Sequence, residues 1–147
     1  MLTAIIDYRS GNLHSAQKAF EKITASNNLG SVVVTSDPKI ISSADRLVLP
    51  GDGAFPSCKA ELMSSEAFEA MVYGVVEKSR PFLGICVGMQ LMATKSYEYQ
   101  ETEGLDWIDG EVKKINPKDK SFKIPHMGWN TLNIESKHPV LRSIHTG

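Results

Sequence analysis

Residues 81–90, PFLGICVGMQ, place a cysteine between two glycines at the end of an apolar run. Residues 82–85 predict a short buried strand, and residues 87–93 predict a helix that begins directly after Cys86. Glycine on each side of such a junction is typical of a turn too tight for side chains that carry a Cβ. The arrangement resembles a nucleophile elbow, the strand–turn–helix that exposes a catalytic serine, with Cys86 in the place of the serine.

The composition is that of a globular domain with little excess charge. The chain has 147 residues, of which 41% are hydrophobic, and its formal net charge of -1 predicts no nucleic-acid surface. No apolar run is long enough to predict a membrane span. The two cysteines, Cys58 and Cys86, form neither a disulfide framework nor a zinc-binding spacing. We therefore expect a cytoplasmic protein with no metal and no cofactor.

Strand and helix patterns alternate through the first part of the chain. The predicted strands are residues 2–6, 31–35, 46–49 and 82–85. Apolar side chains recur at helical spacing in residues 13–23, with Ser10 as a possible N-cap, and in residues 65–79. This alternation predicts an α/β fold, a mostly parallel sheet with helices on both faces, in a single domain over residues 1–147.

The pattern changes after about residue 105, where an antiparallel section is predicted. Residues 105–115, LDWIDGEVKKI, and residues 122–134, FKIPHMGWNTLNI, have the composition of strands. The intervening NPKDKS is typical of a turn. We expect the two segments to pair as a long hairpin, preceded by a polar loop over residues 96–104.

Several candidate site residues follow the predicted strands, at the sheet edge where parallel sheets bind ligands. The N–H of Val87 would point to the oxyanion formed when Cys86 attacks a carbonyl carbon. A second N–H would come from LPGDGAF, residues 49–55, although its glycines could equally serve only a turn. Gln90 lies on the same helix face as Cys86 and could bind a substrate amide or a neighbouring loop. Cys86 itself could also be an inert packing residue, and Cys58 is interpreted as structural.

No convincing general base accompanies the cysteine. The chain contains four histidines, His14, His126, His138 and His145. None of them stands in a sequence context that predicts a position beside the elbow. The pattern therefore predicts a nucleophile without its base.

Four motifs together resemble a known family. GICVGMQ, residues 84–90, resembles the nucleophile segment of class I (triad) glutamine amidotransferases, and residues 49–55 resemble their oxyanion loop. DYRSGNLHS, residues 7–15, and KIPHMGWN, residues 123–130, resemble the glutaminase subunits of imidazole glycerol phosphate synthases. The resemblance covers nearly the whole chain and implies a flavodoxin-like α/β fold.

The resemblance implies that L-glutamine is hydrolysed through a cysteine thioester, releasing ammonia. The residues with an implied role in this reaction are Cys86 as nucleophile, Val87, Asp52 and Gly53 at the oxyanion, and Gly51 and Gln90 in substrate binding. The implied partner is a cyclase subunit with a (β/α)8 barrel, which takes up the ammonia in histidine biosynthesis. The residues implied to face that partner are Asn12, His126, Trp129 and Asn130. For Trp129, ordinary core packing is an equal alternative.

The chain departs from the family pattern in two places. Asp52 stands where the family usually has an apolar residue, so a carboxylate is expected near the oxyanion. The family's catalytic His and Glu lie in an HPE-like segment that is absent here, so we expect a chain lacking its C-terminal part and inactive alone. Two other functions stay open: a non-catalytic partner-binding domain, and a stand-alone cysteine hydrolase of similar topology.

Overall fold

The structure, a computed structural model, describes residues 1–119 and 121–144. It contains two compact units, one from Met1 to Lys114 and one that begins at Ile115. His145, one of the four histidines considered above, lies outside the described residues. A single domain over residues 1–147 stays a prediction.

A four-stranded parallel sheet forms the centre of the first unit, with strand order β2-β1-β3-β4. The strands are β1 (Leu2–Ile6), β2 (Ser31–Thr35), β3 (Arg46–Gly51) and β4 (Phe82–Cys86). The predicted strands are therefore confirmed, but β3 and β4 extend beyond their predicted ends. The prediction that residues 82–85 are buried is wrong, because β4 lies at the edge of this sheet and Leu83 and Ile85 are exposed. Gly51 pairs with Cys86, so the predicted oxyanion loop and the predicted nucleophile lie at adjacent points of the sheet edge.

Five α-helices accompany the strands among the described residues. They are α1 (Leu13–Asn27), α2 (Pro38–Ser43), α3 (Phe55–Ser64), α4 (Ala67–Val72) and α5 (Val87–Gln90). The N-cap of α1 is Asn12, whose side chain accepts the Ser15 N–H, and not Ser10. The helix predicted over residues 65–79 is α4 followed by a π-helical turn at Tyr73–Glu77.

Both faces of the central strands are buried. Ala4, Ile6 and Leu47 belong to one apolar cluster, which also contains side chains of α2, α3 and α4. Ile5 and Val48 are equally buried but lie outside that cluster, because successive residues of a strand point to opposite faces. Burial on both faces is the property of a parallel α/β sheet, and the predicted fold class is confirmed.

A second, three-stranded sheet completes the first unit, in the order β6-β5-β7. Its strands are β5 (Ala93–Ser96), β6 (Thr102–Glu103) and β7 (Ile108–Val112). β5 pairs antiparallel with β6 and parallel with β7. The predicted hairpin is therefore wrong: the antiparallel pairing precedes residue 105, and residues 122–134 form no strand.

The cause of this difference is the early end of α5. The helix predicted to continue to residue 93 ends at Gln90, because the carbonyls of Leu91 and Met92 accept N–H groups of Leu105, Trp107 and Ile108 instead of continuing the helix. The chain after α5 thereby becomes β5 and provides the partner of β7. A pattern of alternating residues predicts a strand but not its partner.

The second unit has little regular structure. Its one described helical segment is a 3-10 turn at Pro139–Leu141. His138 precedes this turn and accepts the Val140 N–H through its Nδ1 at 3.2 Å. Across the described ranges of both units, no helix is both long and apolar enough to cross a membrane.

Two glycines allow α5 to lie directly on the sheet. A Cβ at Gly88 would overlap the carbonyl oxygen of Leu49 in β3. A Cβ at Gly84 would lie 2.5 Å from the Cα of Met89. Both contacts are with backbone atoms, which cannot move aside as a side chain can.

Replacing Gly88 by Ala should destabilise the protein by about 3 kcal/mol, the upper part of the range for overpacked sites. Gly74→Ala is the matched control, because the added Cβ would meet only the end of the Leu47 side chain, at 2.8 Å. Urea unfolding of both variants measures the difference. Equal losses of stability would show that the contact between α5 and β3 is not tight.

Candidate active site

Cys86 occupies a strained turn between β4 and α5. Its backbone has φ 55° and ψ -120°, a region that costs a residue with a side chain about 1–3 kcal/mol. The neighbouring Gly84 and Gly88 do not take this conformation; they provide room for the contacts of α5 with the sheet. The result is an exposed thiol at the carboxyl end of a parallel strand.

A cleft of about 670 Å³ opens at this thiol, within the usual size of a small-molecule site. It is lined by Gly53, Cys86, Val87, Gln90, Tyr97, Glu98, Tyr99, Val112, Lys113 and Lys114. Four residues that the sequence predicted separately, Gly53, Cys86, Val87 and Gln90, therefore meet in one place. Gly51 and Asp52 are not among the lining residues.

Glycine is needed at positions 51 and 53 for different reasons. Gly51 ends β3 beneath α5, where a Cβ would lie 2.5 Å from the Gly88 nitrogen and 2.9 Å from the Tyr8 hydroxyl. Gly51 is thus a packing residue, with no direct place in the cleft. Gly53 has open space around it but a φ of +107°, so it is needed for its backbone conformation.

The backbone of Asp52 is engaged away from the cleft. Its N–H donates to Ser10 Oγ at 3.0 Å, and the Ser10 hydroxyl donates to the Asp52 carbonyl at 2.9 Å. The Cys58 thiol also donates to this carbonyl, at 3.3 Å. Asp52 itself is exposed. The Asp52 N–H is therefore directed to Ser10 and not to Cys86.

Tyr8 lies beneath the loop with its side chain 1% exposed. Among the described residues, its hydroxyl has no hydrogen-bond partner. Burial raises the pKa of this phenol well above its ordinary value, while nearby Ser10 lowers it by a smaller amount. Tyr8 is thus a neutral hydroxyl held beside Gly51.

Glu98 is a cleft residue that the sequence analysis did not single out. Its Oε2 accepts the Phe55 N–H at 2.8 Å, at the first residue of α3. Its own N–H donates to Ser96 Oγ at 3.1 Å. Glu98 lies in the segment predicted as a polar loop. That segment contains several carboxylates, and nothing in the sequence distinguished Glu98 from the others as a site residue.

No described histidine lines the cleft. His14 is exposed in the first turn of α1, and His126 and His138 belong to the second unit.

The predicted interface residues lie in both units. Asn12 caps α1, as described above. This structural role is compatible with a second role at an interface. In the second unit, His126 and Asn130 are exposed, and the exposed fraction of Trp129 is 103%. Trp129 therefore packs in no described core, contrary to the alternative weighed above.

Comparison with known proteins identifies the family. The family model described as glutamine amidotransferase class-I matches residues 4–145. The chain belongs to the class-I glutamine amidotransferase family. The resemblance inferred from the four motifs is thereby confirmed for this amidotransferase, together with the α/β fold that it implied.

Curated relatives of this amidotransferase have a common name, imidazole glycerol phosphate synthase subunit HisH. The protein of Ruegeria pomeroyi is 59% identical over 148 residues, covering 100% of this chain and 70% of the relative. The protein of Cereibacter sphaeroides is 52% identical, with the same coverage. The protein of Caulobacter vibrioides is 47% identical, covering 98% of this chain and 68% of the relative.

The two thiols should differ sharply in reactivity. Iodoacetamide should alkylate the exposed Cys86 in the folded amidotransferase and leave Cys58, which is 2% exposed, unmodified. Mass spectrometry of the peptides measures the modification of each cysteine, and Cys86→Ala is the control. Rapid alkylation of Cys58 in the folded protein would contradict the buried position found for it.

Proposed function

We propose that this chain is the glutaminase subunit of an imidazole glycerol phosphate synthase. It hydrolyses L-glutamine and passes the ammonia to a cyclase subunit that acts in histidine biosynthesis. The observation that carries this proposal is the exposed thiol of Cys86 in a strained elbow, facing a cleft together with Val87 and Gln90. The name shared by the relatives supports the choice of synthase.

The reaction proceeds by nucleophilic substitution at the side-chain amide of glutamine. The thiolate of Cys86 adds to the amide carbon, and the N–H of Val87 binds the resulting oxyanion. The C–N bond then breaks, and the nitrogen takes up a proton and leaves as ammonia. Water adds to the thioester, the C–S bond breaks, and glutamate and the thiol are released.

Gly53 and Asp52 supply the second side of the oxyanion site in this proposal, which requires the Asp52 N–H to leave its hydrogen bond with Ser10. Gly53 already lines the cleft, and its positive φ directs the loop there. Only backbone N–H groups are required, so the exposed Asp52 carboxylate does not prevent this role. Gly51 contributes indirectly, by allowing β3 to lie beneath α5.

The cleft also contains groups that suit the two charges of free glutamine. Glu98 uses one carboxylate oxygen for the Phe55 N–H, and the carboxylate retains the capacity to bind the substrate's α-ammonium group. Lys114 lies on the same cleft and provides a positive charge for the α-carboxylate. Gln90 provides a side-chain amide for the polar end of the substrate.

The partner in this proposal is a cyclase built on a (β/α)8 barrel, which forms a heterodimer with this subunit and receives ammonia away from bulk water. Asn12, His126, Trp129 and Asn130 are proposed to face it. A fully exposed Trp129 supports this assignment, because aromatic side chains dominate the binding energy of protein interfaces. That residues 1–147 alone hydrolyse no glutamine stays a prediction.

Replacing Cys86 by Ala in the native subunit, assembled with its cyclase, should abolish glutamine-dependent synthesis. Synthesis from free ammonia should persist, because the cyclase performs that step. The measurements are glutamate release and product formation with each nitrogen source. Ser26→Ala is the control, because its hydroxyl bonds only the Lys22 carbonyl of its own helix.

Each other outcome selects another function. Glutamate release by Cys86→Ala would remove this thiol from the mechanism. A wild-type protein that binds its partner without releasing glutamate would be a non-catalytic binding domain. Turnover of other amides or esters in preference to glutamine would indicate a stand-alone cysteine hydrolase.

Replacing Glu98 by Gln should raise the KM for glutamine about 10- to 100-fold, the value of one hydrogen bond to a charged group. The kcat should change much less, because the α-ammonium group is remote from the reacting amide. Glu101→Gln is the matched control, since the Glu101 side chain is 62% exposed and pairs with Lys95. An unchanged KM in Glu98→Gln would contradict the proposed role of this carboxylate.

A further inference from the structure

The carboxylate of Glu98 caps a helix that is distant along the chain. Ala54, the residue before α3, makes no side-chain hydrogen bond to the helix, and Glu98 Oε2 accepts the Phe55 N–H at 2.8 Å instead. The N–H groups of the first turn of a helix have no partner within the helix, so an outside acceptor is favoured there. The position of the Glu98 carboxylate therefore depends on the position of α3.

Lys59 ties α3 to the second sheet at another point. Its ammonium group donates to the carbonyl of Glu103 at 3.2 Å and to the carbonyl of Gly104. The side chain is half-buried, and this burial lowers the pKa of Lys59, while the charge of nearby Glu103 opposes the shift. Lys59 is thus a partly desolvated ammonium group that is held by two backbone carbonyls.

The carbonyl of Gly104 that Lys59 binds is itself fixed on β5. The Gly104 N–H donates to the Thr94 carbonyl at 2.8 Å, and a Cβ on Gly104 would overlap the Ala93 carbonyl oxygen. The last residue of β5 is Ser96, which is fully buried and whose Oγ accepts the Glu98 N–H at 3.1 Å. The contacts therefore form a closed ring, which leaves β5 at Ser96 and returns to it through Gly104.

This ring restricts the cleft residue Glu98 from both of its ends. Ser96 holds its backbone, and the N-terminus of α3 holds one oxygen of its carboxylate. With one oxygen fixed, the second oxygen has little freedom, and a carboxylate can accept further hydrogen bonds while it caps a helix. A group that is held in place before the substrate arrives loses less conformational entropy on binding.

We propose that Lys59 and Ser96 are positioning residues for Glu98, the carboxylate that binds the α-ammonium group of glutamine. Lys59 holds α3 against the second sheet, and Ser96 holds the backbone of Glu98. Neither of them is among the described residues that line the cleft. This inference rests on the proposed glutaminase function, and it adds to that function two residues outside the cleft.

The test uses the native subunit assembled with its cyclase and measures steady-state glutamate release. Lys59→Met should raise the KM for glutamine about two- to tenfold, the value of one ordinary hydrogen bond, because Glu98 remains but is less well placed. The kcat should stay unchanged, since the α-ammonium group is remote from the reacting amide. Lys59→Arg, which keeps the charge and the donors, should behave like the wild type. Lys39→Met is the matched control, because Lys39 is an exposed lysine on α2.

Two further measurements separate positioning of Glu98 from general support of the fold. The first is the inhibition constant of glutaramate, which is glutamine without its α-amino group, and it should not change in Lys59→Met. The second is a double-mutant cycle, in which Lys59→Met should add little to the KM of Glu98→Gln, because the carboxylate that it positions is already lost. Ser96→Ala should show the same pattern, and it carries the test if Lys59→Met does not fold.

Three results would overturn the inference while leaving the glutaminase function intact. One is an unchanged KM for glutamine in Lys59→Met and Ser96→Ala. Another is an equal weakening of glutamine and glutaramate, which would show that the whole cleft is disturbed. The third is a full, additive effect of Lys59→Met in the Glu98→Gln background. Absence of glutamate release by the wild type would overturn both the inference and the proposed function.

Discussion

The contact of α5 with the end of β3 is the constraint on which the rest of the site depends. At this point backbone lies on backbone, because Gly88 packs against the Leu49 carbonyl and Gly51 packs against the Gly88 nitrogen. No side chain separates the two segments, so the chain has to turn sharply between β4 and α5. The turn forces Cys86 into a backbone conformation that a residue with a side chain rarely adopts.

The same contact brings the elements of the cleft together. Gly51 and Cys86 are paired residues of neighbouring strands, so the loop after β3 and the helix after β4 leave the sheet side by side. The remaining wall comes from the second sheet and its connections, and two residues separate the end of α5 from the start of strand β5. Glu98 enters the cleft from the segment after β5 and is fixed there by its bond to the first residue of α3.

Beneath the cleft, a small polar cluster holds the backbone of the loop after β3. Ser10, Cys58 and the Asp52 backbone satisfy one another, whereas the Tyr8 hydroxyl beside them stays unpaired. Buried polar groups are normally paired, so the Tyr8 hydroxyl is an exception among the described residues.

The sequence alone determined the parallel sheet, the junction at Cys86 and the family. Those features are local. A run of β-branched residues, a helical spacing of apolar residues or a pair of glycines around a cysteine can each be recognised within about ten residues of sequence. The C-terminal end of α5 and the partner of β7 were decided by hydrogen bonds from Leu105, Trp107 and Ile108, which lie far along the chain. Likewise, nothing in DYRSGNLHS showed that Ser10 would bond Asp52 instead of capping α1. A side-chain hydroxyl bonds whichever backbone group folding brings within reach, and only the tertiary structure decides which group that is.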